Sequence, residues 1–302
     1  MAPTKIIISG SSGLIGSALV RSLRADGIEA IRLVRRQPRE ADEVFWDPGR
    51  RELDPGLLAG ADAVVNLNGA SIGKLPWTRS YREALRTSRL LPTRTLAEAI
   101  RQLGGDAPMF LSGSATGFYG HRPGETLTEE STPGDSFLAQ LCVDWEAAAL
   151  QAGPQARVAL LRTASLLHPE AVLKPLILLT RFGVSGPLGG GRQIWPWFSL
   201  EDEVRAIRHI IDEGIVGPVN LSGPTPASAN EIGKDLARRM RRPFLLPAPK
   251  WALRLGIGRS AADALLLSDA RVQPEVLRNS GFQFAHDTAQ SAIADVLPTS
   301  GR

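Results

Sequence analysis

In the stretch "IIISGSSGLIGSALVRSL" (residues 6–23), Gly10, Gly13 and Gly16 recur at every third position between an apolar run and an amphipathic one. The first glycine allows a tight strand-to-helix turn, the second lets backbone approach a pyrophosphate, and the third lets the helix lie close to a sheet. Phosphates then meet the free N–H groups and positive end of a helix starting near Leu14. The spacing therefore predicts dinucleotide binding, because it follows a strand and opens an amphipathic helix. The end of the second strand, "IRLVRRQP", sets the cofactor type. A site for the plain dinucleotide places Asp or Glu about 20 residues beyond the glycines, to bind ribose hydroxyls. Arg35 and Arg36 stand there instead, with no acid before Glu40. Two guanidinium groups suit a 2′-phosphate, which favours NADP(H) over NAD(H), the alternative being two solvated surface charges.

Other chemistry-bearing residues are sparse. Gln193, Trp195 and Trp197, in the Gly-flanked segment "RQIWPWFSLED", could wall a substrate pocket or anchor two lobes to each other. The four histidines, at 121, 168, 209 and 286, are too scattered for a metal site, and none is expected. No GxSxG elbow occurs, which argues against Ser-His-Asp hydrolysis. The single cysteine, Cys142, rules out an intrachain disulfide and reads as an inert packing residue.

These residues need a frame. "KIIIS" (5–9), "EAIRLV" (29–34), "ADAVVNLNG" (61–69), "MFLSGS" (109–114) and "RVALLRTA" (157–164) read as strands buried on both faces. Helical patterns separate them: 14–23, about 77–103 with a break or restart at Pro92, and 135–153 stopped by Gly153. That alternation predicts an α/β fold with a doubly wound parallel sheet. After residue 165 the rhythm changes, with a helix at "LEDEVRAIRHIIDEG", a short strand "PVNLSG" and a helix capped by Ser228 or Asn230. The expected division is a nucleotide-binding unit at 1–165 and a smaller, mostly helical substrate lobe at 166–302, some of whose segments return to the sheet.

Bulk properties narrow the class further. An apolar share of 43% and a charged share of 22% suit a globular enzyme and oppose disorder. The 35 basic and 31 acidic residues leave a net charge of only +4, without the basic, aromatic-interleaved stripe of a nucleic-acid binder. No apolar run approaches the roughly 20 residues that span a bilayer, and no signal peptide is visible, so a cytoplasmic location is expected. The implied partner is a small-molecule substrate.

The glycine spacing, "VVNLNGA", "SGSATGFYG" and "RTASLL" together resemble the extended short-chain dehydrogenase/reductase superfamily, of the epimerase/dehydratase type. More narrowly, "WTRSYREALRTSRLLPTRTL", "SATGFYGHRPGETLTEES", "GGGRQIWPWFSLEDEV" and "LLLSDARVQPEVLRNSGFQF" are similar to an atypical epimerase-family branch, in order along nearly the whole chain. The resemblance implies a Rossmann-type domain for NADP(H) with a C-terminal substrate lobe. It assigns Gly10, Ser12, Gly13, Leu14, Ile15 and Gly16 to the phosphate loop. Asn68, Gly69 and Ala70 fall on the loop along the adenosine and ribose, and Arg162 in "LLRTA" near the nicotinamide. Ser114 takes the place of the serine that hydrogen-bonds the reacting carbonyl or hydroxyl.

Active members of that superfamily carry a YxxxK pair about 25 residues after the serine, in which lysine lowers the tyrosine pKa for proton transfer. Aligning Glu146 with the acid that follows the lysine puts Leu138 and Cys142 at the two positions. Neither can do that work. Tyr119 is the nearest phenol and the candidate substitute; Lys74 and Glu129 read as solvated loop charges. Two functions follow: an NADP(H)-dependent oxidoreductase or epimerase acting on a small carbonyl, hydroxyl or sugar-nucleotide compound with an unorthodox proton donor, or an NADP(H)-binding redox sensor or regulator without turnover.

Overall fold

A computed structural model describes residues 3–298, so the outermost residues of the two expected units, 1–2 and 299–302, lie outside the described residues. The chain begins with strand β1 (Lys5–Ser9), helix α1 (Leu14–Ala25) and strands β2 (Glu29–Val34), β3 (Glu43–Phe45) and β4 (Ala63–Asn66). Helix α2 (Arg79–Leu103), β5 (Met109–Ala115), β6 (Arg122–Leu127), α3 (Phe137–Ala149), β7 (Val158–Thr163) and β8 (Ser165–Leu166) follow. The remainder comprises α4 (Leu173–Arg181), β9 (Trp197–Phe198), α5 (Leu200–Glu213), β10 (Gly217–Leu221), α6 (Ala229–Arg239), α7 (Lys250–Ile257) and α8 (Arg259–Leu265). It closes with β11 (Ala270–Val272), α9 (Glu275–Asn279) and α10 (Ala289–Val296).

Seven strands form one parallel sheet in the order β10-β7-β5-β4-β1-β2-β3. Side chains alternate across it, as strand geometry requires. Ile6 and Ile8 pack with Leu19 and Leu23 of α1 and with Ile207 and Ile210 of α5, whereas Ile7 packs with Leu96 and Ile100 of α2 on the opposite face. Burial on both faces explains why the strands read as continuous apolar runs. Strand order reverses at β1, so a crevice opens beyond its carboxyl end, between the connections leaving β1 and β4.

The structure corrects the expected break at Pro92. Helix α2 runs through it unbroken from the Thr78 cap, whose hydroxyl accepts the Tyr81 amide. Pro92 is buried, and its missing N–H costs the helix a single ladder bond, to the Ser88 carbonyl, while the hydroxyls of Thr93 and Thr95 back-bond to the Arg89 and Leu91 carbonyls. The helix expected at 135–153 starts at 137, because Ser136 caps it by accepting the Ala139 amide, and ends in a 3₁₀ turn over 150–152. Strand β3, at three residues, and the polar β6, paired only with β11, carry too little apolar pattern to be foreseen. The later half does return to the sheet: β10 pairs with β7 and α5 packs on α1. Outside the sheet, Trp195, Trp197, Ile232 and Ile293 gather α6 and α10 into a separate cluster. No helix among the described residues is long and apolar enough to cross a membrane.

Candidate functional site

The glycine loop has the geometry its spacing demands. Gly10 leaves β1 with φ +78°, and an added Cβ would lie 2.6 Å from the Leu67 carbonyl carbon. At Gly16 an added Cβ would strike the Gly10 carbonyl oxygen and lie 2.8 Å from Ser11 Cα. Both glycines therefore permit backbone contacts that no side chain allows. Between them the Gly13 amide donates to the Gly10 carbonyl at 3.1 Å, and Gly13 becomes the N-cap of α1 without any side-chain cap. The N–H groups of Leu14, Ile15 and Gly16 have no protein acceptor among the described residues. Ser12 and Gly13 are exposed beside them. A helix opening of this kind, without acidic residues in its first turn, is built to receive an anion.

Asn66 ties the rim together, a role that its place in the sequence did not reveal. Its buried Oδ1 accepts from Ser9 Oγ at 3.0 Å and from Asn68 Nδ2 at 2.9 Å, while its Nδ2 donates to Thr93 Oγ1 at 2.7 Å. One amide thus fixes the end of β1, the loop after β4 and helix α2. The loop continues through Gly69 to Ala70, whose amide donates to Ser88 Oγ at 2.9 Å.

The arginine pair divides. Arg35 is exposed and has no hydrogen bond or ion pair among the described residues. Arg36 donates from both terminal nitrogens to Glu43, at 2.8 and 2.6 Å. Glu43 is buried in β3 and also accepts the Arg39 amide at 2.7 Å; the Arg36 hydrogen bonds, then that amide, hold its carboxyl down at about 2. A carboxylate therefore does stand next to the second strand, but it is spent on a guanidinium. Of the two arginines expected to face a 2′-phosphate, Arg35 is free among the described residues and Arg36 is braced by Glu43.

Behind β5 lies a buried polar network that changes the catalytic assignments. Ser114 Oγ donates to Glu146 Oε1 at 2.7 Å. Arg162 grips the same carboxylate in a fork, Nε to Oε1 at 2.8 Å and Nη2 to Oε2 at 2.9 Å. Its Nη1 donates to the Tyr119 hydroxyl and the Glu129 carbonyl, each at 3.0 Å, and its plane covers the Phe118 ring at 3.6 Å. Tyr119 in turn donates to Asn220 Oδ1 at 2.6 Å and is wholly buried; burial pushes its phenol up to about 12. Tyr119 is thus a core hydrogen-bond donor, and its candidacy as acid or base is withdrawn. Arg162, expected beside the nicotinamide, is a buried hub paired with Glu146 instead. Glu129 is likewise buried rather than solvated, with Oε1 accepting the amides of Asn220 and Val276 at 3.1 and 3.2 Å. Lys74 does lie on an exposed loop, over the Tyr81 ring.

Helix α3 presents Cys142 and Glu146, one turn apart, to Ser114, and Leu138 to Gly117. This matches the alignment that left the Tyr/Lys pair missing. Cys142 is buried, and desolvation raises its thiol to about 12, so it supplies neither charge nor nucleophile near neutrality. The substrate assignments are also corrected. Trp195 Nε1 donates to the Leu266 carbonyl and Trp197 Nε1 to the Thr225 carbonyl, both rings buried, so the tryptophans anchor the C-terminal cluster. Gln193 spends its amide on the Leu188 and Leu266 carbonyls; it borders a cavity of about 310 Å³ with His121, Arg192 and Lys250, but as a brace. Of the four histidines, His286 alone joins a cluster of possible ligands among the described residues: its ring and the carboxylates of Glu201 and Asp295 place ligand atoms within 4.8 Å of one another.

Glu203, the third acid of α5 and one that sequence did not single out, is fully buried near the end of β7. Thr163 Oγ1 donates to its Oε1 at 2.8 Å, Oε2 has no partner, and desolvation raises its carboxyl to about 8 from an ordinary 4.5. The native state therefore holds this proton more tightly than the unfolded chain does. Its contribution to stability is full below about pH 4.5 and is lost as pH rises through about 8. Melting temperatures measured from pH 5 to 9 are expected to fall less steeply in Glu203→Gln than in the parent chain; parallel curves would refute the burial account.

Comparison with known proteins gives consistent matches along the chain. Residues 6–221 match the model of the NAD dependent epimerase/dehydratase family, and residues 248–296 match a domain of unknown function, DUF1731. The chain is 41% identical over 298 residues to the epimerase family protein Mb2239 of Mycobacterium bovis, covering 97% of each. It is 30% identical over 300 residues to the epimerase family protein SA0724 of Staphylococcus aureus, covering 96% of this chain and 98% of that protein. Among solved structures, the human epimerase family protein SDR39U1 (isoform 2) with NADPH superposes with a TM-score of 0.89 at 25% identity, covering 97% of this chain and 99% of that one.

Proposed function

The chain belongs to the NAD-dependent epimerase/dehydratase family and carries a DUF1731 region at 248–296, and from that premise we propose that it binds NADPH across the carboxyl ends of β1, β2 and β4. The observation that carries this reading is the uncapped first turn of α1, whose N–H groups lack protein acceptors, with Arg35 free beside it. When bound, the cofactor would supply hydride chemistry. The chain would hold the pyrophosphate on Gly13, Leu14, Ile15 and Gly16, the adenosine along Asn68 and Gly69, and the 2′-phosphate on Arg35. The NADPH in the human relative's structure supports that choice of nucleotide.

We further propose that no proton passes through α3. Ser114 gives its hydrogen to Glu146, Tyr119 is sealed, and Cys142 stays protonated. These three placements favour a nucleotide-responsive protein over an oxidoreductase or epimerase that uses the superfamily's usual relay. Single-turnover absorbance of bound NADPH against carbonyl compounds and sugar nucleotides tests this. Binding without consumption is expected; rapid oxidation by any panel member overturns it.

Cofactor selection has its own test. Arg35→Ala should weaken NADPH roughly tenfold or more while leaving NADH nearly unchanged, since a charge-assisted contact to phosphate is lost. Equal loss for both nucleotides in a fluorescence titration would show that Arg35 does not read the 2′-phosphate.

A further inference from the structure

A buried imidazole with one ring nitrogen unused lies where the start of α5 meets the segment leading into α10. His286 is only 8% exposed. Its Nδ1 faces Ser199 Oγ at 3.1 Å and Asp202 Oδ2 at 3.5 Å. Ser199 has one hydrogen and donates it to Asp202 Oδ2 at 2.9 Å, so towards Nδ1 its oxygen can only accept. Nδ1 therefore carries the ring proton, and Nε2 keeps a lone pair with no hydrogen-bond partner among the described residues. Asp202 is itself fixed: fully buried, it accepts the Ala285 amide at 2.7 Å and the His286 amide at 3.1 Å. A metal-binding histidine is commonly held in this way, its far nitrogen oriented by a hydroxyl or carboxylate behind it.

Two carboxylates converge on the ring, with the ligand atoms of His286, Glu201 and Asp295 all within 4.8 Å of one another. Glu201 stands in the first turn of α5 and Asp295 near the end of α10, and both are exposed. Neither carboxylate makes an ion pair or a side-chain hydrogen bond among the described residues. An acid at the C-terminal end of a helix opposes the helix dipole, and the last turn of α10 has no basic residue to offset it. Like charges held close together with no cation between them repel. Donors sharing one zinc ion lie about 2.0–2.2 Å from it, hence no more than roughly 4.4 Å apart. Rotation of the two exposed side chains closes the remaining gap. Spacing along the chain conceals the cluster, which forms only when α10 packs against α6 and β9.

We propose that His286 Nε2, Glu201 and Asp295 bind a divalent first-row transition ion, Zn²⁺ in particular, that fastens α10 to α5. The imidazole selects against Mg²⁺ and Ca²⁺, which take oxygen ligands. Three protein donors leave one position for water. Without the ion, α10 is held by the apolar cluster that Ile293 shares with Ile232. The site is separate from the nucleotide groove, and its occupancy does not depend on the reading of that groove.

The test is calorimetric titration of the EDTA-stripped chain with ZnCl₂, MgCl₂ and CaCl₂, together with thermal melting in Zn²⁺ and in EDTA. One Zn²⁺ should bind per chain, at about micromolar affinity or tighter, and saturating Zn²⁺ should raise the melting temperature. The double variant Glu201→Gln/Asp295→Asn should bind Zn²⁺ at least roughly 100-fold more weakly and lose that rise. In EDTA it should melt no lower than the parent, because the removed charges repelled each other, and this also certifies its fold. Since His286 is buried, its part is read without replacing it: the His286 Nε2 resonance in ¹H–¹⁵N NMR should shift on Zn²⁺ addition while Nδ1 stays protonated. A parent that binds no Zn²⁺, equal binding by the double variant, an unmoved Nε2 signal, or Ca²⁺ binding as tight as Zn²⁺ each overturns the proposal. If the double variant does not fold, Asp295→Asn alone decides: weakened Zn²⁺ binding supports the proposal, and parent-like binding overturns it.

Discussion

Gly16→Ala is expected to reduce NADPH affinity more than a hundredfold and to lower the melting temperature by several degrees. The added methyl would meet only backbone: the Gly10 carbonyl group and Ser11 Cα, with the Gly10 carbonyl carbon at 3.0 Å and Ser11 Cα at 2.8 Å. No side chain can swing away, so α1 must back off the sheet. Overpacking of this kind costs about 1–3 kcal/mol in stability. Binding suffers more, because the first-turn N–H groups move as a set and a displacement of about 1 Å spoils hydrogen-bond geometry. Gly13→Ala is the control. Its φ of −76° suits any residue, and its added methyl would sit at an ordinary 3.4 Å from the Gly10 carbonyl oxygen. That variant should fold like the parent. Titration of Gly16→Ala with NADPH and thermal melting of both variants test this: parent-like NADPH affinity in Gly16→Ala, or equal melting temperatures for the two, would overturn it.

The largest loss of stability is expected from Arg162→Met. Removing one partner of a buried ion pair leaves the other uncompensated, which costs roughly 3–5 kcal/mol. Here the change strands Glu146 Oε2, leaves Oε1 with the Ser114 hydroxyl alone, and removes the donor to the Tyr119 hydroxyl and the Glu129 carbonyl. The double variant Arg162→Met/Glu146→Leu takes both charges out together and should recover part of the loss. Urea denaturation of the single and double variants tests this, with the double expected to be the more stable. If the single variant were as stable as the parent but bound NADPH poorly, Arg162 would belong to the cofactor after all.

Features with local determinants are legible in the sequence. The β-branched core of β1, the glycine loop and the Ser228 cap each depend on neighbours within a few positions, and each stands where its pattern places it. Roles set by distant partners were hidden. Tyr119 reads as a candidate acid until Asn220, 101 residues away, takes its proton donor. Trp195 is sealed by Leu266, 71 residues on. Glu43 was invisible as the partner of Arg36 because a three-residue edge strand carries no period.

The edge strand β10 has a consequence for how this protein is made. Residues 217–221 cover the outer side of β7, and Asn220 within them closes both the Tyr119 hydroxyl and, through its amide, Glu129. A nascent chain that has cleared the ribosome only as far as β7 still has a bare strand edge and two unmet polar groups in its interior. The cofactor half is therefore completed late: its last edge pairing and hydrogen bonds arrive with residues 217–221 and with the Val276 amide.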